Sequence, residues 1–280
     1  MSKDTVLFVL SDTHCGHKLG LINPETVLFD ESNGKEWKPS LTGFQYFLWE
    51  LFEESIEKLR ELSKNKEIVI IILGDITHGN KHPEQLISNR IADQSLIVQQ
   101  MLKPLIELKN IKAIRMVFGT GSHDFGEGTS MLILKSQIEP LLKKTDIRVI
   151  THGLLNIKGK LIDYAHHGPG IGIRNWLNGN EARFYLRNIL YSHKPDLVLR
   201  GHVHGFAHES IYWMDENSLR KSSITILPSM CGMSEFAKQS GRSPMMLFNG
   251  TMLYNISDKE ISDPIPVMRI SDVRIKEEIA

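Results

Sequence analysis

Several short stretches of the chain combine groups that bind divalent cations. Gly201-His202-Val203-His204-Gly205 sets two imidazoles one residue apart, and Asp12-Thr13-His14 sets a carboxylate and an imidazole at the same spacing. Gly74-Asp75 adds a carboxylate, Gly121-Ser122-His123-Asp124 a hydroxyl, an imidazole and a carboxylate, and His166-His167 an adjacent imidazole pair. Neutral imidazole nitrogen is a borderline donor and carboxylate oxygen a hard one, a mixture suited to divalent first-row ions. Residues at i and i+2 in a turn can reach two different ions instead of crowding one. A carboxylate such as Asp75, facing the Asp12/His14 pair, can bridge two cations about 4 Å apart through its two oxygens. His123 offers a proton donor beside Asp124, a group able to orient it. His166 directly ends an apolar run and is the expected ligand of its pair, with His167, pointing the other way, in reserve. Cys15 and His17 are further potential ligands, although a thiolate suits a closed structural zinc site better than hydrolytic chemistry.

Each stretch follows an apolar run: Val6–Leu10, Ile68–Leu73, Ile114–Phe118, Leu161–Ala165 and Leu197–Leu199. Aliphatic runs without alternation read as strands buried on both faces, and side chains just past such strands project into the crevice at the sheet's carboxyl edge. Between them, Phe44, Phe47, Leu48, Leu51, Phe52, Ile56 and Leu59 recur at helical spacing over 42–63, with Thr42 as cap. A second helix is expected over 84–109, kinked or broken at Pro104, and a third over 129–143. Further strands are expected near 147–151, 154–157, 207–213, 223–228 and 250–255. Residues 18–41, with Gly20, Pro24, Asn33-Gly34 and Pro39, read as a long loop over the end of the first strand. Residues 170–194 carry Arg174, Arg183 and Arg187 among aromatics, and these three could hold phosphate.

With 280 residues, 41% hydrophobic and 24% charged, the chain is expected to form one domain over 1–270 with a charged peripheral tail at 271–280. Lys+Arg and Asp+Glu are both 33, so no global charge argues for nucleic acid or an anionic membrane as partner. No leader-like segment and no apolar run of membrane-spanning length is present. Two cysteines are too few for a disulfide framework, so a reducing, cytoplasmic setting is expected.

Taken together, Asp12-x-His14, Gly74-Asp75, Gly121-Ser122-His123-Asp124, His166 and Gly201-His202-x-His204 resemble, in type and order, the motif signature of the calcineurin-like metallophosphoesterases. The resemblance implies an α/β fold, a four-layer α-β-β-α sandwich of two mixed sheets, with two divalent ions at the sheet edge. It implies that Asp12, His14 and His204 hold one ion and His166 and His202 the second, with Asp75 bridging. Manganese is the first expectation, with iron, zinc, nickel and cobalt as alternatives. The implied reaction is hydrolysis of a phosphate ester by hydroxide generated at the ions, with His123 as general acid and Asp124 behind it. The family's third motif has Asn where this chain has Ser122, a shorter and poorer donor. The second ion is therefore expected to be bound weakly, with Ser122 as ligand or Thr120 as the fallback. The run Gly-Asp-Ile-Thr-His-Gly-Asn-Lys-His-Pro is similar to the nuclease branch of the superfamily, which carries a histidine at the position of His78. A phosphodiester, in nucleic acid or a nucleotide, is the implied substrate. The alternatives are a phosphomonoesterase acting on a small nucleotide and a catalytically weak scaffold.

Overall fold

The computed structural model describes residues 3–126, 128–169, 179–216, 218–233 and 246–272. The apolar runs form the strands that the sequence pattern leads one to expect: β1 (Thr5–Leu10), β4 (Glu67–Leu73), β5 (Ile111–Val117), β8 (Lys160–Ala165) and β9 (Leu197–Arg200). A six-stranded sheet runs β13 (Ile265–Asp272), β12 (Met246–Ile256), β1, β4, β5, β6 (Asp146–Ile150). A five-stranded sheet runs β10 (Ala207–Asp215), β11 (Ser218–Ile226), β9, β8, β7 (His152–Ile157). Both sheets are mixed. β1, β4, β5 and β6 are parallel, as are β8, β9 and β11, while β12, β13, β10 and β7 pair antiparallel.

Side-chain alternation explains why these runs are apolar throughout. In β1, Val6, Phe8 and Leu10 face one core while Leu7 and Val9 face another, and β4 divides in the same way between Ile68, Ile70, Ile72 and Val69, Ile71, Leu73. The first face packs under α1 (Gly43–Leu62), α2 (Ile91–Ile106) and α3 (Thr129–Ile138). The second meets Ile162, Tyr164, Leu197 and Leu199 of the other sheet. That sheet's outer face, Val198, Ile224 and Ile226, is covered by Ala182 and Leu186 of α4 (Asn180–Leu190). The result is the four-layer α-β-β-α sandwich.

Several expectations about elements are corrected. Residues 18–41 are not all loop. Asn33-Gly34 lies in the turn of a small antiparallel hairpin of β2 (Leu28–Asp30) and β3 (Lys35–Trp37). The second helix starts only at Ile91, because the segment before it pairs with the first strand's end through the bridge His17↔Leu86. α2 runs past Pro104 to Ile106, and the Gln100 carbonyl, which a residue 104 amide would have bonded, accepts instead from Asn23 Nδ2 at 3.3 Å. α3 stops at Ile138, where Pro140 turns the chain into a 3-10 segment. β13 had no clear signal in the sequence. The first helix keeps its expected cap: Thr42 Oγ1 accepts from the Gln45 N–H at 3.2 Å, and Gln45 Oε1 accepts from the Thr42 N–H at 3.0 Å.

Candidate metal centre

Register brings the candidate groups to one place. Leu10 lies beside Ile72, Leu73 beside Val117, and Ala165 beside Arg200, so the residues that follow each strand emerge together at the carboxyl edges of both sheets. The edges are tied across the sandwich. His166 Nδ1 donates to the Leu73 carbonyl at 2.6 Å, and the Ser11 hydroxyl lies 3.0 Å from that same oxygen.

At these strand ends the backbone turns through the left-handed region. Asp12 has φ +52°, His14 +44°, Asp75 +47°, His202 +71° and His204 +53°. For residues other than glycine this costs about 1 kcal/mol or more each, and such strain clusters where function fixes side-chain direction. Two glycines are needed for space. A Cβ at Gly74, itself at φ +76°, would lie 2.4 Å from His166 Nδ1, and one at Gly119 would lie 2.2 Å from Asp75 Oδ1.

The donors fall into overlapping groups. Asp12, His14 and His204 converge, with 3.2 Å from Asp12 Oδ1 to His204 Nε2 and 3.1 Å between His14 Nε2 and His204 Nε2. Asp75 Oδ2 lies 3.1 Å from His166 Nε2 and 4.0 Å from His202 Nδ1. Asp12, Asp75 and His166 form a further group, so the two carboxylates lie between the imidazole sets. Ligand atoms about 2.1 Å from one octahedral ion stand about 3.0 Å apart, close to the contacts of Asp12 and His14 with His204 and of Asp75 with His166. Asp12 Oδ1 and His166 Nε2 are buried without a hydrogen bond. Buried acceptors in that state cost free energy unless something electropositive sits between them, so the donor set fits divalent cations.

Electrostatics agree. Burial raises the Asp12 carboxyl, but the His204 charge outweighs it and holds the group below its ordinary value. Asp75 is likewise held well below the carboxylate range, the facing His166 and His202 rings overcoming the cost of burial. His166 is pushed up to about 9, because Asp75 and the Asp12 charge prevail over burial. His14 is driven well below its ordinary value by burial and the His204 charge, which leaves a neutral ring suited to ligation. The site is an anionic pocket built to hold positive charge.

His123 and Asp124 do not pair as expected. The Asp124 carboxylate is spent on its own loop, accepting from the Gly119 N–H and the Ser130 hydroxyl, each at 2.6 Å. His123 is oriented instead by its Nδ1–H, which donates to the His78 carbonyl at 2.8 Å. His78 also faces the metal group, with Nδ1 3.2 Å from His14 Nδ1, and it belongs to a cluster with His14 and His123. Its loop is held by Gln94. Gln94 Oε1 accepts from the N–H groups of His78 and Gly79, and its Nε2 donates to the carbonyls of Gly79 and Ser88. The sequence pointed to His78 only through its place after Gly-Asp, and nothing in the helical pattern singled out Gln94.

Other candidates fall elsewhere. The Cys15 thiol lies 3.1 Å from the Leu21 carbonyl, and burial pushes it up to about 12. His17 Nδ1 accepts from the Leu19 N–H, and its Nε2 faces Gln85 Oε1 at 3.4 Å. His167 is exposed and groups with His166 and His202. Arg183 and Arg187 lie on the solvent side of α4, and Arg174 lies outside the described residues. Beside Asp75 stands Thr120, whose hydroxyl donates to Asp75 Oδ2 at 3.2 Å, and the Ser122 backbone lies against Gly79.

A sequence profile described as calcineurin-like phosphoesterase matches residues 5–206. No curated protein matches this chain. Among solved structures, an archaeal phosphodiesterase shares 13% identity over 93% of this chain and 99% of its own, with a TM-score of 0.43. GAP50, described as the anchor in the inner membrane complex of Plasmodium, shares 12% over 99% and 90%, with a TM-score of 0.45. Pseudomonas putida nuclease MPE shares 14% over 92% and 87%, with a TM-score of 0.32. With TM-scores below 0.5, these likenesses add nothing finer.

Proposed function

From its membership of the calcineurin-like phosphoesterase family, to which this chain belongs as a metal-dependent phosphoric ester hydrolase, we propose that the protein cleaves a phosphodiester. Asp12, His14 and His204 would hold one divalent cation, and His166 and His202 the other, with Asp75 between them. The single observation behind this reading is the placement of Asp75 Oδ2 against His166 and His202, in a carboxylate cluster that includes Asp12. Bound at these positions, two cations neutralise charge on phosphate oxygens and make hydroxide available near neutrality.

The chain's own groups do the rest. The His123 Nδ1–H is fixed on the His78 carbonyl, so its Nε2 is the end free to give a proton to the departing oxygen. Asp124 shapes the loop that carries His123, through Gly119 and Ser130. The Leu73 carbonyl takes the Nδ1–H of His166, so that with a cation bound Nε2 would be the ligating nitrogen beside Asp75. His78, three residues past Asp75 and packed beside His14 and His123, is the feature shared with the nuclease branch. Manganese is the first metal to test, with nucleic acid and nucleotides as the natural diesters.

The deciding experiment compares bis(nitrophenyl) phosphate with nitrophenyl phosphate at saturating manganese, followed by plasmid nicking. Faster turnover of the bis-ester is expected. Preference for the mono-ester would replace this reading with a phosphomonoesterase, and background rates on both with manganese, nickel or cobalt would leave a scaffold.

A further inference from the structure

The geometry points to Thr120, and not Ser122, as the residue that completes the second cation's donor set; this rests on the two-cation reading above. Thr120 opens the tight turn after β5. Its carbonyl accepts from the N–H groups of His123 and Asp124 at 2.8 and 2.9 Å, which pins the residue at the strand end beside Asp75. From there it engages Asp75 twice, with its N–H on Oδ1 at 2.6 Å and its hydroxyl on Oδ2 at 3.2 Å. The same hydroxyl oxygen lies 3.4 Å from His202 Nδ1. It is therefore within ligand-to-ligand spacing of both the bridging carboxylate and one of the two imidazoles assigned to that ion.

Ser122 is carried round the turn. Its backbone carbonyl packs against Gly79, and among the described residues its hydroxyl has no hydrogen bond to Asp75 or His202, where Thr120 has both contacts. A neutral hydroxyl is a competent if modest ligand for a hard cation, as in the Ser/Thr that holds magnesium in P-loop enzymes. Thr120 thus takes over the position that Asn holds in the family's third motif, from two residues earlier in the chain. It adds no charge, and its hydroxyl donates to Asp75. With a cation bound, the hydroxyl oxygen would serve as a neutral ligand beside Asp75 and His202.

The test measures manganese bound per chain, by calorimetric titration and elemental analysis, together with the electron paramagnetic resonance signal of a spin-coupled manganese pair. The proteins compared are the unaltered chain, Thr120→Val, Thr120→Ser and Ser122→Ala. The unaltered chain is expected to bind two ions and show the coupled signal. Thr120→Val, which keeps the volume and the backbone N–H, should retain the first ion but weaken the second about tenfold or more, with loss of the coupled signal. Thr120→Ser should restore both, and Ser122→Ala should match the unaltered chain. A Thr120→Val protein that binds the pair normally overturns the inference, as does a Ser122→Ala protein that loses the second ion. Intact first-ion affinity excludes a folding defect, and if Val strains the loop, the Thr120→Ser and Ser122→Ala comparison still decides. An unaltered chain that binds fewer than two ions would be a different failure, that of the two-cation reading itself.

Discussion

His123 owes its direction to a neighbour's backbone. With Nδ1 committed to the His78 carbonyl, Nε2 is the nitrogen left to serve a substrate, and the contact that orients the ring is to backbone. The side chain of His78 has a separate task against His14, and burial beside His17 and His123 drives its pKa down to about 3. It therefore stays neutral at working pH. If His123 supplies the proton, His123→Ala should lower turnover about 10²–10⁴-fold on a diester with an alkyl leaving group. With a nitrophenolate leaving group, which departs without a proton, the loss should be under about tenfold. Equal losses on both substrates, read as kcat, would remove the acid role.

At the scale of elements, the strands act as rails and their last turns as the tool holder. Burial of both strand faces in two cores fixes the register, and register sets where Asp12, Asp75, His166 and His202 emerge. Gly74 is doubly constrained, because its φ of +76° and the nearby imidazole both exclude a side chain. Gly74→Ala is expected to destabilise the fold by about 1–3 kcal/mol and to push the His166 ring off Asp75. The expected readout is a lowered urea midpoint together with weakened binding of the second manganese. Unchanged metal binding would mean that His166 is not held by this contact.

At the scale of the molecule, the five-stranded sheet and its covering helix are tied by charge as well as by apolar packing. Arg200, a fully buried side chain at the end of β9, donates to Asp163 of β8 at 2.5 Å and to the Tyr185 hydroxyl. Asp163 also meets His152 at 2.9 Å and His193 at 2.6 Å. Burial raises the Asp163 carboxyl, but the Arg200 charge prevails and holds it below its ordinary value. A carboxyl depressed in the folded state adds stability above its unfolded pKa of about 3.9, and that stability is lost as pH falls through the folded value. Asp163→Asn strands the guanidinium and should cost about 3–5 kcal/mol at pH 7. Thermal melts should show the unaltered protein losing stability more steeply than the variant below about pH 4. Parallel curves would assign the acid limb to other carboxyls.

Much of this protein is legible in one dimension. Doubly buried strands announce themselves as largely apolar runs, and Asp12, His14, Asp75, His166, His202 and His204 come soon after those runs, so residue order alone named the groups that the fold assembles. Sequence had no means of saying which partner each group takes. The His78 carbonyl that orients His123, the Gln94 amide that clamps the loop, and the Thr120 hydroxyl on Asp75 are contacts between segments set by register and turn geometry. The hairpin at 28–37 and strand β13 escaped for a related reason: edge elements are half exposed and lack the pattern that burial on both faces imposes. Composition fixed which atoms could meet a cation, and packing of two sheets decided which of them do.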